Sequence, residues 1–144
     1  MPMSIQSAAP SIRPVDVALR LGIVGLTLST AYIHYTLGGL LFLANAAGYA
    51  SLAVAMVVPL AIASRLRWLV RPALAVFTTT TILGYLIMGP YFTLGFIAKG
   101  IEATLLVLLV IEMVRFDGGP LAVARRFLAE AVRISRLTFG PTPA

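Results

Sequence analysis

The sequence predicts an all-α integral membrane protein: four transmembrane helices in two antiparallel hairpins, followed by a C-terminal amphipathic helix in the membrane interface. Three observations lead there. Of the 144 residues, 60% are hydrophobic and 11% charged, outside the range of soluble domains. No Asp, Glu, Lys or Arg occurs from Leu21 to Ser64, a run too long for one span and suited to two. A second uncharged run, Pro72 to Ala98, holds a third span, and Phe96 to Val114 makes a fourth if Lys99 and Glu102 are accommodated. These runs lack period-two alternation, which argues against a transmembrane barrel.

The net charge of +6 would suggest nucleic acid in a soluble protein. Here its distribution points to a membrane, and no nucleic-acid partner is expected. Ten arginines fall in three places: Arg13 and Arg20 before the first span, Arg65, Arg67 and Arg71 between the second and third, and Arg115, Arg125, Arg126, Arg133 and Arg136 after the fourth. With four spans these places share one side, leaving only Lys99 for the other. The positive-inside rule then puts both termini in the cytoplasm of a prokaryotic-type plasma membrane. Arg65, Arg67, Arg71, Arg125, Arg126, Arg133 and Arg136 become contacts for anionic head groups of the bilayer. The absence of cysteine removes thiolate metal sites, disulfides and thiol redox chemistry without choosing a compartment.

Residues 1–12, rich in Ser, Ala, Pro and Gln and without periodicity, read as a mobile cytoplasmic tail. A cleaved signal peptide competes with this and is disfavoured, because the apolar stretch continues without a clear small-x-small cleavage site. The transmembrane domain covers 13–116. Its first span, about Val15 to Ile33, starts at Pro14, whose missing N–H is harmless at a helix start, and Asp16 meets the positive end of the helix dipole. The turn His34-Tyr35-Thr36-Leu37-Gly38-Gly39 is the best break in the long run, since paired glycines and clustered tyrosines suit the outer interface. That break could equally slide toward Asn45-Ala46-Ala47-Gly48.

The second span, about Leu40 to Ser64, carries overlapping small-xxx-small pairs, Ala44 with Gly48 and Ser51 with Ala55 among them. Such stripes let backbones touch in lipid, where hydrophobicity does not drive helices together. Ala44, Gly48 and Ser51 are thus helix-packing positions facing a partner, and Pro59 kinks the span near its cytoplasmic end. A basic loop from Arg65 to Pro72 puts Trp68 at head-group level. The third span, Ala73 to Met88, holds four threonines, Thr78 to Thr81. Four successive positions cover all faces of a helix, so most of these hydroxyls bond their own backbone carbonyls. Gly89-Pro90 makes an outer turn, and Thr93-Leu94-Gly95 leads into the fourth span.

Residues 117–139 form the amphipathic helix, opened by Pro120. Arg125, Arg126, Glu130, Arg133 and Arg136 gather on one face, with Leu121, Val123, Ala124, Phe127, Leu128, Ala131, Val132 and Ile134 opposite. That is the pattern of a helix lying in the cytoplasmic interface. Residues 140–144 are a short tail.

The two halves carry similar anchors. Arg13-Pro14 is followed by Thr36-Leu37-Gly38, and Arg71-Pro72 by Thr93-Leu94-Gly95, at nearly equal spacing. A polar residue follows each threonine at the same distance, Asn45 in one half and Glu102 in the other. A parallel 2+2 repeat about an axis along the membrane normal accounts for this; chance similarity between two apolar segments competes with it. A repeat would bring Asn45 and Glu102 to similar depth in the outer half.

Glu102 is the sharpest candidate for chemistry, because an ionised carboxylate in hydrocarbon must be paired, protonated or facing a wet cavity. Lys99, one turn earlier, can pair with it. An interfacial ion pair that anchors the fourth helix is one reading, and a ligand, ion or proton site is the other. Glu112 lies about 15 Å further along the helix, where Arg115, Arg65, Arg67 or Arg71 could neutralise it in a structural inner-side salt bridge. His34, the only histidine, reads as an amphipathic ring at the outer interface or, with an axial partner from another chain, as a haem ligand. One His and no Cys leave too few ligands for zinc. An outer cluster of His34, Tyr35, Asn45, Tyr49, Tyr85, Tyr91, Lys99 and Glu102 could form a pocket. Mostly aliphatic surroundings suit a polar-headed lipophilic ligand such as a quinone or lipid.

No phosphate loop, dinucleotide glycine fingerprint, histidine–glutamate zinc motif or serine nucleophile elbow occurs. A conventional active site, a metal and a cofactor are therefore not expected. The leading expectation is a non-catalytic helper or accessory subunit that packs with itself, as a homo-oligomer, or with a larger membrane complex. The alternatives are an oligomeric transporter or channel using Glu102, and a quinone-, lipid- or haem-binding membrane component.

Overall fold

The computed structural model describes residues 13–58 and 61–139, with only the helical backbone for 61–67 and 136–139. The tails at 1–12 and 140–144, the kink at Pro59 and the side chains of Arg65, Arg67 and Arg136 lie outside the described residues. The described chain is all-helical: α1 (Pro14–Leu37), α2 (Leu40–Val57), α3 (Ala61–Met88), α4 (Thr93–Asp117) and α5 (Pro120–Phe139). Four stretches are long and apolar enough to cross a membrane: α1, α2, Trp68–Met88 of α3, and α4.

The boundaries differ from the sequence expectation in three places, each with a local cause. First, α1 runs on through His34 and Tyr35 to Leu37, and the break falls at Gly38 and Gly39. Both have positive φ, 67° and 82°, the region that a Cβ disfavours. His34 is therefore a helix residue and not part of a turn. Second, α2 ends at Val57, short of Ser64. Val58 is extended, as expected for the residue before a proline. Third, Arg65 to Pro72, expected as a loop, is helical within α3. Arg65 to Val70 contains no glycine or turn-forming residue to stop a helix. Pro72 sits inside the helix, where it forfeits one backbone bond, a cost that helices in a bundle tolerate. At the other end of the chain α4 extends to Asp117, Gly118 takes the left-handed conformation, and the Gly119 N–H bonds the Met113 carbonyl at 2.9 Å. This closes the helix and frees Pro120 to start α5.

α1 and α3 each pack against both α2 and α4, so the four helices close a ring, and α5 leans on α3 and α4. Each helix turns one stripe inward at alternating spacings of three and four, the period of one helical face. The stripe on α1 is Ile23, Thr27, Thr30 and His34; on α3 it is Arg71, Leu74, Thr78, Thr81 and Tyr85; on α4 it is Glu102, Leu105, Leu109 and Glu112. Ala46, Tyr49, Ala53 and Met56 are the buried contribution of α2. The outward faces carry exposed Leu, Val, Ile and Phe, as a lipid-facing surface requires.

The small-residue stripe of α2 divides between two faces. Gly48 faces Phe77 of α3 so closely that a Cβ would stand 2.5 Å from the ring. Ala44 and Ser51 are exposed on the outside of the bundle. A leucine at 48 must push Phe77 out of the α2–α3 contact, and overpacking of this kind costs about 1–3 kcal/mol. Gly48→Leu is therefore expected to lower the melting temperature of the isolated, purified protein. An unchanged melt would contradict the α2–α3 packing.

Candidate functional site

The interior of the ring is polar at two levels and apolar between them. At one level Glu102 of α4 is completely buried. Its Oε2 accepts from Lys99 Nζ at 2.6 Å and from Thr81 Oγ1 at 3.0 Å, while its Oε1 accepts from Thr30 Oγ1 at 3.2 Å. Donors from α1, α3 and α4 thus converge on one carboxylate, which satisfies it in a place where an unpaired charge is very costly. Lys99 is held in turn by the Thr81 carbonyl at 3.2 Å and by the face of Tyr85, 5.5 Å from its ring centre. Tyr49 of α2 completes the ring of helices through a 2.7 Å hydrogen bond between its hydroxyl and that of Thr81.

His34 is buried beside this group, 3% exposed. Its Nδ1 lies 2.8 Å from the Thr30 carbonyl, one turn earlier. A carbonyl only accepts, so Nδ1 carries the hydrogen. Nε2 faces Glu102 Oε1 at 3.8 Å. Nδ1 is thus engaged by a hydrogen bond, and Nε2 is turned toward the carboxylate at more than hydrogen-bond distance. The extra turn of α1 carries the imidazole inward.

Against this polar group lies a cavity of about 370 Å³ at the loop-bearing end of the ring, lined by residues from all four helices. Leu37, Leu41, Phe42, Met88 and Phe92 form apolar walls, and His34, Asn45, Thr81, Tyr85 and Lys99 supply polar atoms. Tyr85 is fixed across it by accepting from the Phe92 N–H at 3.2 Å and donating to the Phe92 carbonyl at 3.4 Å. Gly95 makes that position possible, since a Cβ there would stand 2.5 Å from the Tyr85 hydroxyl.

The second polar level joins α1, α3 and α4 at the other end. Glu112, also fully buried, meets Arg71 Nε at 3.3 Å, Arg71 Nη2 at 3.4 Å and Arg20 Nε at 3.5 Å. Arg71 donates to Asp117 at 2.7 Å and lies over the Phe116 ring. Arg115 bonds Asp16 through Nε at 3.0 Å and through Nη2. Arg71, expected at the lipid surface, is instead 5% exposed: helix formation through Pro72 turns it inward, onto the carboxylate that needs it. Arg115, expected near Glu112, is taken by Asp16.

Between the levels Ile23, Leu74, Leu105 and Leu109 are all fully buried and fill the axis of the ring. Thr27 bonds its own Ile23 carbonyl at 2.7 Å. Thr78, equally buried, has a hydroxyl that makes no hydrogen bond of good geometry among the described residues, the neighbouring Tyr49 hydroxyl being already paired with Thr81. A buried unpaired hydroxyl destabilises the folded state by about 1–3 kcal/mol, so Thr78→Val is expected to raise the melting temperature. Thr81→Val, which deletes a donor to Glu102, is expected to lower it. Equal shifts in the two variants would refute the assignment.

Of the eight residues expected in the outer cluster, His34, Asn45, Tyr85 and Lys99 line the cavity, and Glu102 and Tyr49 stand behind it. Tyr35 and Tyr91 are exposed, each at 65%. Asn45 makes no side-chain hydrogen bond among the described residues. Thr30 and Thr81 are additions that sequence reasoning missed. The signal for Thr30 was its place on a three-four stripe with Ile23, Thr27 and His34. Within the run Thr78–Thr81, Thr79 and Thr80 donate to the carbonyls of Ala75 and Val76, and Thr81 has one hydroxyl hydrogen to share between the Thr78 carbonyl at 2.8 Å and Glu102 at 3.0 Å. On α5, Arg126 lies 4.5 Å from the Trp68 ring centre, and Arg125 and Arg133 are exposed.

No protein-family model, curated protein or solved structure matches this chain, so the site is read from its own residues.

Proposed function

We propose that this protein is a non-catalytic membrane component that binds a lipophilic molecule with a hydrogen-bond-accepting head, a quinone or a lipid, in the cavity beside Glu102. One observation carries the reading: a cavity of about 370 Å³ with mostly apolar walls is met by a few polar side chains, Lys99, Asn45 and Thr81 among them. That is the usual plan of a small-molecule site, with apolar walls for affinity and a few polar groups for orientation. Lys99 Nζ spends two of its three N–H groups on Glu102 and Thr81, leaving one for a ligand, and the Asn45 amide is unengaged among the described residues. Glu102 acts from behind as the group that fixes Lys99 and His34. Extraction of the purified protein and mass spectrometry are expected to find an enriched lipophile, lost on filling the cavity with Asn45→Trp. Equal lipid content in both proteins would overturn the reading.

In this proposal the chain crosses the bilayer as two antiparallel hairpins, with the arginine-rich end and both termini in the cytoplasm of a prokaryotic-type plasma membrane. The amphipathic helix α5 lies in that interface, its arginines toward anionic head groups. Exposed Leu121, Phe127, Leu128 and Val132 beside exposed Arg125 and Arg133 support this placement. A 2+2 repeat is not needed: Pro14 begins α1 whereas Pro72 is internal to α3, and Gly38 separates two helices whereas Gly95 is inside α4.

An accessory subunit is the second reading, and the exposed line Ala44, Ala47 and Ser51 on α2 favours it. Beside that line, Ala31, Ala46 and Ala50 border a shallow groove between α1 and α2, a shape that admits another helix. Ala47→Leu is expected to abolish such an association, seen as loss of the larger species in native mass spectrometry, without lowering the melting temperature of the monomer. The transporter reading is weaker, because the aliphatic layer between Glu102 and Glu112 closes the axis of a single bundle.

A further inference from the structure

From the charge balance around His34 we infer that the ligand of the cavity is an anionic amphiphile, one acidic head on an apolar body, and that protonated His34 is what selects for its charge. The inference rests on the ligand-binding reading above and narrows its ligand class.

Both nitrogens of His34 face acceptors: Nδ1 the Thr30 carbonyl at 2.8 Å, Nε2 the carboxylate of Glu102 at 3.8 Å. A neutral imidazole with its hydrogen on Nδ1 turns a lone pair toward Glu102, which is repulsive. The imidazolium has a donor for each acceptor and is the form that fits. The other titratable groups facing the ring are Lys99 of α4, Tyr49 of α2 at 5.6 Å between ring centres, and Tyr85 of α3 across the cavity. Imidazolium and ammonium together then meet a single carboxylate, so the buried group carries one positive charge too many. The chain has five acidic residues, and none of the other four is within reach. Asp16, Glu112 and Asp117 belong to the opposite ionic level, and Glu130 lies on α5 beside Arg133.

The missing negative charge has one place to come from, the cavity, which His34 and Lys99 both line and Glu102 does not. Both cations are on the cavity side and the anion is shielded behind them. An acidic head there completes the charge balance and meets the free N–H of Lys99 and the amide of Asn45, while Leu37, Leu41 and Phe42 contact its chain. A free alkyl acid and an anionic phospholipid share this chemistry.

Calorimetric titration of the full chain in a neutral detergent tests this with decanesulfonate, whose head stays ionised at all working pH values, and with 1-decanol as its uncharged counterpart. Decanesulfonate is expected to bind at least about fivefold more tightly than decanol near neutral pH, a usual size for coupling between groups in one site. That preference should vanish in His34→Gln. Phosphatidylglycerol competing with decanesulfonate identifies the head group as a lipid's. Competition by oleate alone identifies a free acid, and both results support the proposal. Equal binding of decanesulfonate and decanol overturns the charge assignment and leaves the ligand-binding reading standing. Binding of neither overturns both.

The unsubstituted protein supplies a second readout. His34 is the only histidine, so ring-labelled protein gives a single imidazole signal in nitrogen NMR. The imidazolium pattern near neutral pH is expected with decanesulfonate bound, and a neutral ring in that complex overturns the inference even if His34→Gln fails to fold.

Discussion

Arg71→Met is expected to be the most damaging single substitution in the ring, costing about 3–5 kcal/mol, the usual loss when a buried charge is stripped of its partner. Arg71 bridges two carboxylates on α4, Glu112 at 3.3 Å and Asp117 at 2.7 Å. Glu112 is fully buried, and its remaining contact, Arg20 at 3.5 Å, comes from a side chain 39% exposed. Methionine matches the volume of the arginine stem but leaves Glu112 with a partner half in solvent. The double variant Arg71→Met, Glu112→Leu is expected to recover most of the loss, because the charge left unpaired in the single variant is then gone as well. Reversible unfolding of the four proteins of this cycle in mixed micelles measures the coupling directly. Single variants within about 1 kcal/mol of the parent would mean that the ion pair is solvated and not buried.

Glu102→Gln is expected to have the second largest effect, with a different signature. Glutamine keeps the shape and can still accept from Thr30 or Thr81, but it removes the charge that holds Lys99 at 2.6 Å. Lys99 is near the loop-bearing end and its stem is long enough to carry the ammonium toward solvent. The stability loss is therefore smaller, about 1–3 kcal/mol, as for a charged hydrogen bond lost in a site that can relax. The loss of the lipophile is expected to be near complete, because the positions of Lys99, which meets the head group, and of His34, which supplies its charge, both depend on Glu102. A Lys99→Met, Glu102→Leu double variant is expected to fold with near-parental stability and to extract empty. If instead Glu102→Gln keeps its full lipophile content, Glu102 is only an anchor for the start of α4.

The two experiments separate the roles of the buried carboxylates. Glu112 sits in a network of arginines and acids that ties α1, α3 and α4 together. Glu102 sits in a network that backs onto a cavity. The aliphatic layer of Ile23, Leu74, Leu105 and Leu109 between them insulates one from the other, so mutations at the two levels are expected to add.

The sequence by itself determined the helical class and the four membrane-length helices, because charge is excluded from segments of this length for a single physical reason, the cost of placing it in hydrocarbon. It also determined that Glu102 needs partners and that Lys99, one turn away, is one of them, since helical spacing is local. What the tertiary structure decided is everything that depends on how helices face one another. It decided that His34 lies inside the ring, because α1 runs one turn further than the tyrosines and glycines suggested. It chose between the two roles the sequence offered Arg71, lipid contact or one of four candidate partners of Glu112, because the segment through Pro72 stays helical and turns it inward. It drew Thr30 and Thr81 onto Glu102 from residues far away in the chain. Threonine, arginine and histidine each serve equally well in several settings at a membrane, so their identity does not announce which setting they occupy; only the rotation of each helix against its neighbours chooses.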